Sequence, residues 1–162
     1  TAPASVRSVG EAVMAADRLL ETAKAQADAQ VSERNAREKA ELMRQLGMDE
    51  GESATKASRT MIRQLEEDQK RRSKRALTDA IDRALIDLLA IYRDVLMVQV
   101  GGDGELINTD LFDLVHEIAQ DSTPRQTLAR VDHIETARKR LVSNGNPLLV
   151  LEDMAISLRP QA

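Results

Sequence analysis

Leu141-Val142-Ser143-Asn144-Gly145-Asn146-Pro147-Leu148-Leu149-Val150-Leu151-Glu152-Asp153-Met154-Ala155-Ile156-Ser157-Leu158, the stretch LVSNGNPLLVLEDMAISL, contains the apolar run LLVL that decides between strand and helix. Asn146 can cap a helix with its side chain, and Pro147 fits the first helical position, where its missing N–H costs nothing. The run therefore reads as the start of a helix. At about 100° per residue its apolar side chains cover an arc of roughly 260°, with Glu152 inside that arc. A helix so apolar is enclosed by others, and Glu152 needs a cation, a donor or a second protein.

Working outward, no segment alternates apolar and polar residues as a half-buried strand does. Prolines 3, 124, 147 and 160 and glycines 101, 102 and 104 leave two long uninterrupted stretches, read as helices from about Ala4 to Leu46 and from about Ala57 to Val100. The first carries Val6, Val9, Val13, Ala16 and Leu20 at helical spacing and then turns alanine-rich and polar. The link GMDEGESATK reads as a loop. The second passes through EEDQKRRSKR and becomes strongly apolar from Leu77, with Ile81, Leu85, Leu88, Tyr92 and Val95 in one stripe. Ile86, Leu89, Leu96 and Met97 form a second patch around Arg93.

Folding the two helices about residue 51 places residue 10 near 92 and residue 31 near 71, an antiparallel hairpin whose remote half, 24–76, projects as an arm. LINTDLFDLVHEIAQ then gives a short helix with Leu111, Leu114, Val115 and Ile118 on one face, opened by Thr109 or Asp110. Thr123 and Gln126 form a capping box, with Pro124 first in a helix marked by Leu128, Val131, Ile134, Ala137 or Arg138, and Leu141. Asn144 and Gly145 stop it through a left-handed residue. The expectation is an all-α bundle of about five helices, a single domain over 1–162 read as a fragment of a longer chain, because TAPASVRS lacks an initiator Met.

With 162 residues, 42% hydrophobic composition and 31% charged residues, the chain is one ordinary domain's worth. A net charge of -4 and a pI near 5.3 supply no global positive field for nucleic acid or an anionic membrane. The absence of cysteine permits a reducing compartment. No apolar run approaches the roughly 20 residues of a membrane span. Tyr92 and Phe112 are the only aromatic residues, which suits aliphatic helix packing and leaves little to stack on bases.

Chemistry-bearing motifs are sparse. GGDG is a poor phosphate cradle, and neither GxxxxGK[ST] nor GxGxxG occurs. Asp113 with His116, and His133 with Asp132 and Glu135, are read as surface or boundary residues rather than metal ligands. Ser73 and Ser143 have no histidine in a helical neighbourhood. No cofactor is expected. The basic run Lys70, Arg71, Arg72, Lys74 and Arg75 is the nucleic-acid candidate, but Glu66, Glu67 and Asp68 precede it at i,i+4 and Asp79 follows Arg75, so a solvated helix face is the favoured reading. Arg93 and Glu152, both among apolar residues, can satisfy each other as a buried pair, within the chain or across a contact; Arg93 snorkelling to solvent is the alternative.

Three motifs in order carry a resemblance. They are Leu88-Leu89-Ala90-Ile91-Tyr92-Arg93-Asp94-Val95-Leu96, Leu106-Ile107-Asn108-Thr109-Asp110, and Asn144-Gly145-Asn146-Pro147-Leu148-Leu149-Val150-Leu151-Glu152. Together they resemble the C-terminal collar domain of the bacterial DNA polymerase III clamp-loader subunit delta prime, over residues 77–158, and SVGEAVMAADRLLE resembles the stretch that follows that family's lid domain. The resemblance implies a non-catalytic collar that joins tau/gamma- and delta-type subunits in a cytoplasmic replication complex. It also implies subunit-interface or buried polar roles for Tyr92, Arg93, Asp94, Asn108, Asp110, Asn144, Asn146 and Glu152. The family does not account for the arm at 24–76. The alternative is a helical nucleic-acid-binding or adaptor protein using the basic run.

Overall fold

In the computed structural model, which describes residues 8–47, 55–102 and 104–160, the stripe on the second long helix is the backbone of the core: Ile81, Leu85, Leu88, Tyr92 and Val95 are all buried. The described residues form five helices and no strand: α1 (Val9–Gln45), α2 (Lys56–Gln99), α3 (Phe112–Gln120), α4 (Pro124–Val142) and α5 (Pro147–Ser157), with a 3-10 turn at Thr109–Leu111. The all-α reading holds. Each boundary has a local cause. The Ser8 hydroxyl accepts the Glu11 N–H at 3.1 Å ahead of α1, and the Thr55 hydroxyl accepts the Ser58 N–H at 3.1 Å ahead of α2. Thr123 and Gln126 make the reciprocal capping box of α4, and Asn146 Oδ1 accepts the Leu149 N–H at 3.2 Å to open α5 behind Pro147.

The chain divides into two compact units, one of Thr1–Thr22 with Ile81–Ala162 and one of Ala23–Ala80. In the first, Ala12, Ala15, Ala16 and Leu20 of α1 and the α2 stripe are buried together with Val115 and Ile118 of α3, Ile134, Ala137 and Leu141 of α4, and Val150, Leu151, Met154 and Ala155 of α5. Small α1 residues let that helix approach closely, and the branched residues of α2 fill the space between.

Several expectations need correction. The buried face of α4 is Thr127, Arg130, Ile134, Ala137 and Leu141, whereas Leu128 is 51% exposed. The difference is confined to the first two turns, where the bond from Thr127 to Gln99, described below, draws Thr127 inward; Ile134, Ala137 and Leu141 are buried as the spacing predicts. Neither Thr109 nor Asp110 caps α3, since the 3-10 turn leads directly into it and no side chain caps either start. The second α2 patch is only half covered: Ile86 is exposed, while Leu89, Leu96 and Met97 are half-buried. The glycine turn supplies part of that cover, because a Cβ at Gly102 would stand 2.9 Å from Met97 Cε.

In the second unit the two helices run antiparallel, but Val31 packs with Ala76 rather than near residue 71. Ala27, Val31 and Ala76, with Leu77 against them, are its apolar cluster, and a polar layer follows. There Arg72 donates to Asn35 Oδ1 at 2.9 Å and Glu38 Oε1 at 2.8 Å, Gln69 Nε2 donates to the Asn35 carbonyl at 2.8 Å, and Lys39 pairs with Glu66 at 2.9 Å. Arg72 beside Glu38 holds that carboxyl below its ordinary range against the effect of burial. The i,i+4 pairing expected of the basic run is replaced by Arg71 with Asp68 at i,i+3 and by these cross-helix bonds. The expected loop at GMDEGESATK lies largely outside the described residues; α1 closes in a turn at Leu46-Gly47, with Gly47 at φ +65°, where a residue without Cβ suffers no strain.

Because alanines bury little apolar area, the second unit should open before global unfolding. Native-state hydrogen exchange is expected to give Lys39–Gln45 and Lys56–Leu65 opening free energies lower by on the order of a few kcal/mol than those of Leu85–Val95. Equal protection of both sets would contradict it. At the α4–α5 corner, a Cβ on Gly145 would stand 2.8 Å from the Arg140 carbonyl oxygen and 2.9 Å from Val150 Cγ2, and a helical carbonyl cannot give way. Gly145→Ala should therefore cost about 2 kcal/mol in urea denaturation.

Candidate interaction site at the α2 C-terminal turns

Asp94 follows Arg93 on α2 one turn before the helix ends, and its carboxylate is wholly buried. It is not left alone. Its Oδ1 accepts the Ile107 N–H at 2.9 Å, and its Oδ2 accepts the Asn108 N–H at 2.7 Å and the Asn108 side-chain amide at 3.0 Å. Arg93 Nη1 adds a longer contact at 3.2 Å and donates to the Glu105 carbonyl at 3.4 Å. Burial alone would raise the Asp94 carboxyl; the two backbone N–H groups, the Asn108 amide and Arg93 outweigh it and hold the group below the ordinary carboxylate range. The YRD motif and the LINTD motif are thus two halves of one clasp inside the chain.

A second clasp lies on the last turn of α2. Gln99 Nε2 donates to the Ser122 carbonyl at 2.9 Å, to Ser122 Oγ at 3.1 Å and to the Ala119 carbonyl at 3.3 Å, so it gathers the end of α3. Its Oε1 accepts the hydroxyl of buried Thr127 at 2.8 Å, which fixes the start of α4. Farther along α4, Arg138 makes a two-pronged pair with Asp82, at 2.7 and 3.3 Å, and contacts Glu135. Arg140 pairs with Asp153 at 2.6 Å and ties α4 to α5.

Tyr92, buried on the inner stripe, has a hydroxyl with no partner among the described residues. The Arg130 guanidinium carbon stands 5.9 Å from its ring centroid. Burial pushes the phenol up to about 12, despite the opposing Arg130 charge. Sequence reading singled out Tyr92 but missed Gln99, Thr127 and Arg130; the signal available was the spacing of Thr127, Arg130, Ile134, Ala137 and Leu141, which continues an apolar stripe through two polar positions.

Arg93 does not pair with Glu152 within the chain. Its side chain is 48% exposed, as in the snorkelling alternative, and its bonds go to Asp94 and Glu105. Glu152 is half-buried and makes no ion pair or hydrogen bond among the described residues. The apolar arc of α5 is not fully enclosed, since Leu149 is 63% exposed, and that is why Glu152 reaches the surface. Asn144 takes the left-handed conformation at φ 63° and Asn146 caps α5, so both shape the corner, and Asp110 is exposed. In the second unit Lys70, Lys74 and Arg75 are exposed without ion-pair partners among the described residues, whereas Arg71 and Arg72 are engaged. His116 Nδ1 lies 2.8 Å from the Phe112 carbonyl and its ring meets the Phe112 ring at 3.9 Å, and among the described residues no three His, Asp or Glu side chains converge as metal ligands would. No helix of the described residues is long and apolar enough to cross a membrane.

Asp94→Asn should destabilise by about 3 kcal/mol, since an amide offers one acceptor to donors that now meet two. The pH dependence follows from the lowered folded value. The unfolded carboxyl, near about 3.9, binds protons more readily than the folded one, so the contribution is complete above about pH 4 and is lost as pH falls through the folded value. Thermal melts of the wild type should show this acid limb, and Asp94→Asn should lack it; an unchanged limb would assign it elsewhere.

The clasped motifs lie within the region that known proteins share. Residues 54–159 match the family described as DNA polymerase III, delta subunit, C terminal. A 72-residue stretch is 38% identical to DNA polymerase III subunit delta' of Bacillus subtilis, covering 44% of this chain and 22% of that protein. The chain thus spans about a fifth of the length of the curated relative it matches. No solved structure matches. Since the family match takes in α2 through α5, with both halves of the Asp94 clasp, this chain belongs to the C-terminal domain family of the DNA polymerase III delta-type clamp-loader subunits.

Proposed function

We propose that this domain is a non-catalytic oligomerisation module, the collar of a bacterial DNA polymerase III clamp loader, which holds tau/gamma- and delta-type subunits together in the cytoplasm so that the sliding clamp can be loaded during replication. The observation that carries the reading is the family match over residues 54–159. The distribution of exposed apolar side chains supports it: Ile86, Leu128, Val142 and Leu149, on α2, α4 and α5, are 45–76% exposed, the kind of surface that a partner helix covers. The polar residues of the motifs divide accordingly. Tyr92, Asp94 and Asn108 organise the domain, whereas Arg93, Asp110 and Glu152 are available to neighbours.

Glu152 has a specific part in this reading. With Leu149 and Ile156 it lies at i−3 and i+4 spacing along one flank of α5, where it meets a cation of an adjoining subunit. The unengaged charges Lys70, Lys74 and Arg75 are the observation that favours a second reading, contact with nucleic acid by the second unit.

Co-purification with tau/gamma- and delta-type subunits in the absence of DNA, followed by sizing, tests the first reading, and salt-sensitive DNA binding without co-assembly would favour the second. In the assembled complex, Glu152→Gln should weaken subunit binding by about fivefold while leaving the domain's own melting unchanged. Loss of melting stability without loss of assembly would mean that Glu152 acts inside the domain.

A further inference from the structure

Arg130 and Asp94 are the buried charged side chains among the described residues, and they are treated oppositely. Asp94 is surrounded by donors. Arg130, 7% exposed, has no hydrogen-bond acceptor and no acidic partner among the described residues, only the face of the Tyr92 ring. Among the described residues Tyr92 Oη is the one fully buried side-chain polar atom without a partner, so the N–H donors of Arg130 are not sealed in the core but open on to space beside it, where an acceptor can reach them. The missing acceptor has a place. Arg130 lines a cavity of about 40 Å³ with Gln126, Ala129 and His133, at i−4, i−1 and i+3 on the same face of α4, and with Ser157 and Arg159 at the end of α5.

The composition of that cavity is one-sided. Two guanidinium groups, an imidazole, an amide and a hydroxyl line it, and no Asp or Glu does, in a chain whose net charge is -4. Arg159 is held in place by its Nε–H, which donates to the Ile156 carbonyl at 2.9 Å, and its terminal N–H groups are unengaged among the described residues. The volume exceeds the roughly 10–15 Å³ that one water needs and suits a single small oxyanion. Two guanidinium groups lining one small cavity favour an anion in it, and a carboxylate matches their planar forks.

We propose that this cavity is an oxyanion receptor that takes one carboxylate, the acidic side chain of a protein partner, between Arg130 and Arg159. The partner's being a neighbouring subunit rests on the assembly reading; the receptor does not.

The test is NMR titration of the arginine Nε–H signals of the chain with acetate, and separately with inorganic phosphate, at constant ionic strength. Acetate should move the signals of Arg130 and Arg159 saturably and leave those of Arg138 and Arg140 in place. Arg159→Gln should weaken this response by about tenfold with little change in melting in chloride. Arg130→Met, which keeps an apolar stem at the buried position, should abolish it while remaining folded. Shifts spread evenly over all arginines, or no saturable shift, would overturn the receptor, and saturation by phosphate without acetate would overturn the carboxylate assignment. In the complex with its partner subunits the acetate response should disappear, because the site is filled; acetate binding undiminished in the complex would mean that the partner does not supply the carboxylate. A failure to co-purify leaves the acetate titration standing, so the two readings fail separately.

Discussion

The buried carboxylate of Asp94 is the constraint from which the path of the chain after α2 follows. Helix α2 ends near a glycine-rich turn that by itself specifies no direction. Both oxygens of Asp94 accept backbone N–H groups, of Ile107 and Asn108, and so define where the chain lies as it leaves that turn. Asn108 uses its side chain on the same carboxylate, which removes it as a cap, and the chain enters α3 through a 3-10 turn instead. From the end of α3, Gln99 repeats the operation on Ser122 and Thr127. A carboxylate buried without these donors would cost several kcal/mol, more than any single apolar contact nearby returns. The clasp is therefore formed completely or the local fold is lost.

The two units rely on different terms. In the first, large branched side chains at full burial supply most of the stabilisation, at about 1.5–3 kcal/mol each, and the polar clasps select one arrangement among helix packings of similar apolar burial. In the second, Ala27, Val31 and Ala76 offer small side chains, and the layers beyond are ion pairs such as Lys39 with Glu66, half exposed at both ends. Pairs so exposed contribute at most about 1 kcal/mol. Arg72, less exposed and bonded to both Asn35 and Glu38, is the stronger of these links and sets the register of the helices.

Features governed by neighbours in sequence were legible in the sequence, and features governed by distant groups were not. The Thr123–Gln126 box, the Asn146–Pro147 start and the α2 stripe follow from spacing alone, and the structure has each of them. The family motifs also fell where the polar organisation is. Within them, though, Arg93 drew attention as an apolar-patch cation, when its neighbour Asp94 is the buried group. A helical wheel distinguishes faces but not how deeply each face is covered, and half-covered α5 left Glu152 at the surface. On α4 the stripe holds at Ile134, Ala137 and Leu141 and fails at the start of the helix, where Leu128 and Val131 have the residue types of a core but Thr127 is held inward by its bond to Gln99, an acceptor distant in sequence.

The burial of Thr127 at the start of α4 has a consequence for Arg130. Had α4 buried Leu128, an apolar residue would fill the inner position and the charge would lie in solvent. Instead the Thr127–Gln99 bond brings Arg130 inward, against a Tyr92 ring that burial keeps neutral at any ordinary pH and that therefore cannot balance it. A fold optimised for stability alone would place a leucine or methionine there, since replacing a buried charge by an apolar side chain of similar volume is often neutral or stabilising. Cost of this kind, beside a second guanidinium at one small cavity, is what a binding site carries before its ligand arrives: one carboxylate in that cavity meets the N–H groups of Arg130 and Arg159 together.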